Sequence, residues 1–194
     1  LTLAATWPQA LAIIGVGFLI LLPFAAIEEV SIRGYLLHAG ARSWGNRGAL
    51  LFSSLAFAAL HSQNPHVGDY PLALLGLALA GLYLGLVVRV TGNLWMAIFL
   101  HTGWNLMEGP VFGLPVSGMQ LPASVFQTDV QGAAFWTGGA FGPEAGMFLC
   151  LLLAIHLAAL WCLRPLLRTG SPETSGEAAN PTAESRPHRA IPLS

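Results

Sequence analysis

The stretch WPQALAIIGVGFLILLPFAAIEEVSIRGYLLHAG, residues 7–40, decides the fold. From Trp7 to Ile27 it carries no charge, and about 20 apolar residues of helix cross the hydrocarbon core of a bilayer. The helical pattern continues past two glutamates and an arginine to Leu37, and Gly40 is expected to end it. No basic segment leads the run, and apolar character resumes beyond any plausible cleavage site. It therefore reads as a membrane helix rather than a signal peptide. The chain starts with Leu rather than Met, which suggests a piece of a longer protein with further helices upstream.

Four more runs follow outward from this one: Gly48 to His61, Pro71 to Val88, Leu94 to Met107 and Ala145 to Leu163. None alternates with period two, so a transmembrane barrel is not indicated. The expected fold is all-α, a polytopic transmembrane bundle of about five membrane helices over residues 1–164. Composition agrees. Of 194 residues, 55% are hydrophobic and 9% charged, with a mean hydropathy of +0.65. A soluble domain carries roughly a quarter charged residues. Eight arginines, no lysine and nine acidic residues are too few to solvate a globular surface. Nor do they give the basic excess of a nucleic-acid binder, and a disordered chain needs the opposite composition.

The connections set an orientation. Arg42 and Arg47 lie between the first two helices, Arg89 between the third and fourth, and Arg164 and Arg168 after the fifth. The alternate connections, 62–70 and 108–144, contain no Arg or Lys. The positive-inside rule makes the arginine side cytoplasmic. Residues 165–194, rich in Pro and small polar residues with balanced charge, then form a disordered cytoplasmic tail. Arginine without lysine fits a GC-rich bacterial genome, hence a bacterial inner membrane. Cys150 and Cys162 are twelve positions apart on one helix, roughly 18 Å at 1.5 Å per residue. They cannot bridge, and both are read as packing residues.

Ionisable side chains in membrane helices cost about 2.5 to 3.5 kcal/mol each on insertion scales and are functional candidates by default. Glu28, Glu29 and Arg33 all lie in the continuation of the first helix. Glu29 and Arg33, at i and i+4, share a face, which leaves Glu28 as the freer carboxylate. His61 closes the second helix, one turn after Phe57. His101 and Asn105 stand at i and i+4 in the fourth. A carboxylate beside an imidazole can hold a water and take its proton during attack on a carbonyl. A histidine with an asparagine one turn on offers two donors toward one point, as an oxyanion hole requires. The set describes amide hydrolysis without a covalent intermediate. Ser53 and Ser54 are weaker nucleophile candidates, because such hydroxyls commonly bond the carbonyl one turn back. A zinc or iron site remains an alternative, since Glu and His are its ligands. No His-Glu-x-x-His pair occurs, and Arg33 would add positive charge beside a cation. His38, His66 and the mid-helix His156 take structural readings. Glu108 is expected to face water, and Trp104 is expected to line the pocket.

Glu28-Glu29-Val30-Ser31-Ile32-Arg33 matches EExxxR, Phe57 to His61 matches FxxxH, and His101-Thr102-Gly103-Trp104-Asn105 matches HxxxN. In this order on successive helices, with Gly81-Leu82-Tyr83-Leu84-Gly85 between the second and third, they resemble the CPBP family of intramembrane glutamic endopeptidases. That family includes type II CAAX prenyl endopeptidases, bacteriocin-processing enzymes and Abi-type proteins. The resemblance covers roughly residues 10–108. Thr137-Gly138-Gly139-Ala140-Phe141-Gly142-Pro143-Glu144 is also similar to a loop of bacterial members.

The resemblance implies Glu28 as catalytic base with His61, Glu29 and Arg33 in support, and His101 and Asn105 at the oxyanion. It implies no cofactor, although members are often labelled metalloproteases. The partners are a membrane-associated peptide or protein substrate and the lipid bilayer, with no nucleic acid. Two other readings stay open: an immunity or scaffold protein that keeps the fold without catalysis, and a proton-coupled transporter. The second predicts internal repeats, and none is visible.

Overall fold

The computed structural model describes residues 1–168, with side chains described to 162. The part of the expected tail from 169 onward lies outside the described residues. The chain is predominantly helical, as expected. Helix α1 (Trp7–Glu29) opens with the Gln9 side chain accepting the Thr6 backbone N–H at 2.9 Å, and with Pro8 in the first turn, a pattern suited to a helix start. It runs without a break into a π-helix, Val30–Leu36, and then into α2, Leu37–Leu60.

Gly40 does not end the first helix. The helix turns back at Gly45, whose φ of +66° lies in the left-handed region that glycine enters without steric cost. Gly40 instead lets the two arms of the hairpin close up: a Cβ there would lie 3.3 Å from that of Ala49. Higher up, Ile32 and Phe57 meet in one core cluster. The 54-residue apolar stretch Trp7–Leu60 is thus folded on itself. It and Ala73–Thr91 are long and apolar enough to cross a membrane, and Met147–Cys162 is a shorter apolar helix.

Helix α3 (Ala73–Thr91) is the central post, packed against α2, α4 and α6. Helix α4 (Leu94–Leu106) starts on an Asn93 cap, whose side chain accepts the Trp95 N–H at 2.9 Å. It packs on α1 and continues beyond the expected end as a second π-helix, Met107–Val111. A short α5 (Ala134–Thr137) precedes α6 (Met147–Arg168), which outruns the expected end at Leu163. Large apolar side chains such as Leu19, Phe24 and Ile27 on α1 and Phe148 and Ile155 on α6 face outward. Such a surface suits lipid rather than water.

The two ends of the bundle differ. At one, Arg42 and Arg47 flank the Gly45 turn, and Arg89 Nη2 at the end of α3 donates to Asn46 Oδ1. Helix α6 starts beside the start of α3, where Gly76 touches the Glu144 backbone. The His156 ring then lies 6.1 Å from that of Tyr83, so α6 runs alongside α3 and carries Arg164 and Arg168 toward the same end. At the other end the 61–72 and 112–146 connections meet. Asn64 Nδ2 donates to Ser117 O at 2.9 Å, and the Ala140 N–H to Tyr70 Oη at 2.9 Å. Strand β1 (Thr2–Leu3) pairs antiparallel with β2 (Phe126–Gln127) there.

Candidate active site

Three helices bring the charged and imidazole side chains to one level of the bundle. Glu29, the last residue of α1, and Arg33, inside the first π-helix, form a salt bridge at 2.8 Å with both side chains fully buried. The guanidinium also donates from Nη2 to Gly81 O on α3 at 3.1 Å and lies 4.3 Å above the Phe57 ring. A buried ion pair needs this kind of added coordination to offset its desolvation. The Gly81 carbonyl can come so close because a Cβ at that position would lie 3.1 Å from the Ser54 backbone.

His101 adds the third partner. Its Nδ1 donates to the same Glu29 oxygen, Oε1, at 3.0 Å, since a carboxylate only accepts. His61 donates from Nδ1 to the Phe57 carbonyl at 2.8 Å. Both tautomers are thereby set by a hydrogen bond on the far nitrogen, and both Nε2 atoms face Glu28. His61 Nε2 and His101 Nε2 each lie 3.9 Å from Glu28 Oε2, a buried oxygen with no hydrogen-bond partner. That spacing is too long for direct bonds and leaves room for a water between Glu28 and an imidazole. Phe57 lies against both imidazoles, with ring centroids 4.7 Å from His61 and 5.7 Å from His101. The structure therefore brings together Glu28, Glu29, Arg33, His61 and His101. Asn105, one turn beyond His101, lines the same cavity.

That cavity measures about 610 Å³, within the range of ligand sites. Apolar side chains of α1, α4 and α6 wall it, and Trp104 lines it as expected. Ser53 and Ser54 stand apart from it, each donating to the Leu50 carbonyl, at 3.0 and 2.7 Å. His38 Nδ1 donates to the Arg33 carbonyl at 2.8 Å, and the exposed His66 pairs with Asp69 at 3.1 Å. His156 does line the cavity, although it is exposed along α6. Cys150 is buried and free, while Cys162 is free and exposed, so the packing role expected of it is not met. Among the described residues no group of three or more His, Cys, Asp or Glu is arranged as a metal-ligand set.

Glu108 requires a correction. It does not face water: it is 3% exposed because α4 continues past Met107 and the 112–146 connection folds over it. It faces the Glu144 carboxyl and the Trp104 side chain. Glu144 accepts the Ser117 N–H at 3.1 Å and the Ser117 Oγ–H at 2.9 Å, and burial pushes its carboxyl above the usual range. It also lines the cavity. Glu144, Gly81 and Tyr83 were not among the expected site residues. Their signals were present in the Gly-rich runs at 81–85 and 137–144, but neither run says which of its members turns inward.

The chain matches no curated protein and no solved structure. A family model described as type II CAAX prenyl endopeptidase Rce1-like matches residues 7–107, just over half of the chain, and this span holds all three motifs. The chain thus belongs to the Rce1-like type II CAAX prenyl endopeptidase family of membrane-embedded proteases.

Proposed function

We propose that this protein is an intramembrane endopeptidase that hydrolyses a peptide bond of a membrane-associated peptide or protein with water activated by Glu28. The observation that carries this reading is the Glu28 oxygen 3.9 Å from two imidazole Nε2 atoms on different helices, at the wall of a cavity large enough for a peptide segment. A water held there loses its proton to Glu28 as its oxygen attacks the scissile carbonyl carbon. His61 Nε2 orients that water, with its tautomer fixed by the Phe57 carbonyl. The tetrahedral oxyanion is met by Asn105 Nδ2 and by His101, which needs a second proton on Nε2 for this role. When the C–N bond breaks, the proton held by Glu28 passes to the leaving amine, giving a free carboxylate and amine. Glu29 and Arg33 hold His101 in place and do not touch substrate.

In this reading the chain spans a bacterial inner membrane with five helical segments: the two arms of the Gly45 hairpin, α3, α4 and α6. The arginine-bearing end lies in the cytoplasm. The test uses purified protein in detergent with peptides extracted from the host membrane. Wild type is expected to generate new fragments, and Glu28→Gln and His61→Ala to generate none while keeping the wild-type melting profile. Equal cleavage by Glu28→Gln overturns the mechanism. Activity lost to a chelator and restored by a single divalent ion replaces it with a metal-assisted one.

A further inference from the structure

We propose that the scissile segment of the substrate is bound as an added β-strand, paired with the main chain of Met119–Leu121 in the wall of the cavity. The inference rests on the proteolytic reading above and adds a mode of substrate binding to it. A peptide bond inside a helix is shielded by its own turns, so attack by water requires an extended segment. An extended chain in an apolar cavity must find partners for its N–H and C=O groups, because bare ones are costly there. A strand edge in the cavity wall supplies them.

The 112–146 connection contains such an edge. Val116 and Met119 exchange two main-chain hydrogen bonds, each of 2.9 Å. Between them Ser117 and Gly118 have φ of +46° and +85°, positive at both positions as a type I′ hairpin turn requires. Glu144 holds this turn by accepting both the Ser117 N–H and the Ser117 Oγ–H, which offsets the cost of a left-handed serine. In an antiparallel pair, the residue next to a hydrogen-bonded one turns its N–H and C=O to the opposite edge. On one strand that residue is Pro115, which has no N–H and whose carbonyl packs against Gly142. On the other it is Gln120, and among the described residues no hydrogen bond engages its main chain. One edge of the hairpin is closed, and the other is open for pairing.

The side chains place this open edge at the site. Met119 and Leu121, two positions apart on one face, line the cavity that holds Glu28 and His61. The Gln120 side chain turns to the other face, where its Nε2 donates to Gly113 O at 3.2 Å. There Gln120 and Leu121 border a second cleft of about 740 Å³ beside the start of α1. A strand paired with Gln120 therefore projects alternate side chains toward the apolar cavity and toward this cleft.

The test uses the full chain in detergent, with peptides and proteins extracted from the membranes of host cells that lack it. Gln120→Pro removes the outward N–H and fills the edge with a ring, while both Val116–Met119 hydrogen bonds stay in place. Gln120→Ala loses the same side chain and keeps the N–H. Fragment yield is measured over a dilution series of the extract. Gln120→Pro is expected to fall about tenfold or more below Gln120→Ala in apparent kcat/KM, mainly through KM, with equal melting profiles. Equal cleavage by the two variants overturns the inference and leaves the protease intact. The second measurement needs neither that variant nor turnover. In the Glu28→Gln protein, amide hydrogen exchange at 119–121 is expected to slow about fivefold or more when the extract is added. Unchanged exchange there overturns the inference whether or not wild type cleaves. Slowed exchange with no cleavage by wild type overturns the proteolytic reading, and the strand pairing then stands as polypeptide binding alone.

Discussion

A single carboxylate oxygen, Glu29 Oε1, accepts from both Arg33 and His101, so the support of the site is a three-member network rather than a pair. Removing one member of a buried ion pair leaves an uncompensated charge and costs about 3–5 kcal/mol. Arg33→Met is therefore expected to lower stability by about that amount, measured by thermal unfolding in detergent. The double variant Glu29→Gln/Arg33→Met should recover a large part of it, because no bare charge remains. If the double variant is as unstable as the single one, packing of the Arg33 stem is what matters, not its charge. This pair was legible in the sequence, since i and i+4 spacing on one helix face brings side chains together. That both rings of the two histidines turn Nε2 toward Glu28 was not, because their orientation is set by the Phe57 carbonyl and by Glu29, and the sequence records neither contact.

At the level of elements, local pattern located the helices and missed how they end. Gly40 and Gly45 are equally good stops by composition, and the fold separates them: Gly45 takes the left-handed turn, while Gly40 packs closely against Ala49. The two π-helices have no sequence signature either, although π-bulges frequently mark functional sites. Here the first carries Arg33 and the second carries Glu108. The approach of α2 to α3 depends on Gly81, where a Cβ would meet Ser54 backbone atoms at 3.1 Å and Arg33 Nη2 at 3.4 Å. Backbone cannot give way as a side-chain tip can, so Gly81→Ala must push α3 outward and carry the Arg33 acceptor with it. A destabilisation of about 1–3 kcal/mol is expected, with a fall in kcat larger than any change in KM. Gly15→Ala in α1 is the matched control. Nothing lies within 4 Å of its new methyl, and alanine is favoured over glycine within a helix by about 0.5–1 kcal/mol. Equal unfolding temperatures for the two variants would remove the close-packing argument.

At the scale of the whole molecule, charges of the described residues group by end and by level of the bundle. Among the described residues, Arg42, Arg47 and Arg89 mark one end, Glu28, Glu29 and Arg33 mark the level of the candidate site, and a buried carboxyl pair, Glu108 with Glu144, ties the 112–146 connection to α4 at the far end. The sequence made the first two groups visible through spacing alone. It hid the third, because Glu108 and Glu144 are 36 positions apart and meet only when the connection folds back over the helix. This pair gives the cavity roof a pH dependence whose sign follows from burial. The Glu144 carboxyl is held above the ordinary carboxylate range, so the folded state binds a proton there that the unfolded or undocked chain releases. Stability from this group is complete below the ordinary carboxylate pKa and is lost as pH rises through the raised one. Above it two buried carboxylates face each other, with the Ser117 N–H and Oγ–H donating to Glu144. Limited proteolysis within the exposed stretch 129–133 should therefore accelerate as pH rises above the ordinary carboxylate range. Glu108→Gln should flatten that profile by giving Glu144 an amide donor in place of a second acid, while the Ser117 contacts remain. A wild-type profile that is flat, or that runs in the opposite direction, would mean that the connection is held by the β1–β2 pairing and the Tyr70 and Asn64 hydrogen bonds instead.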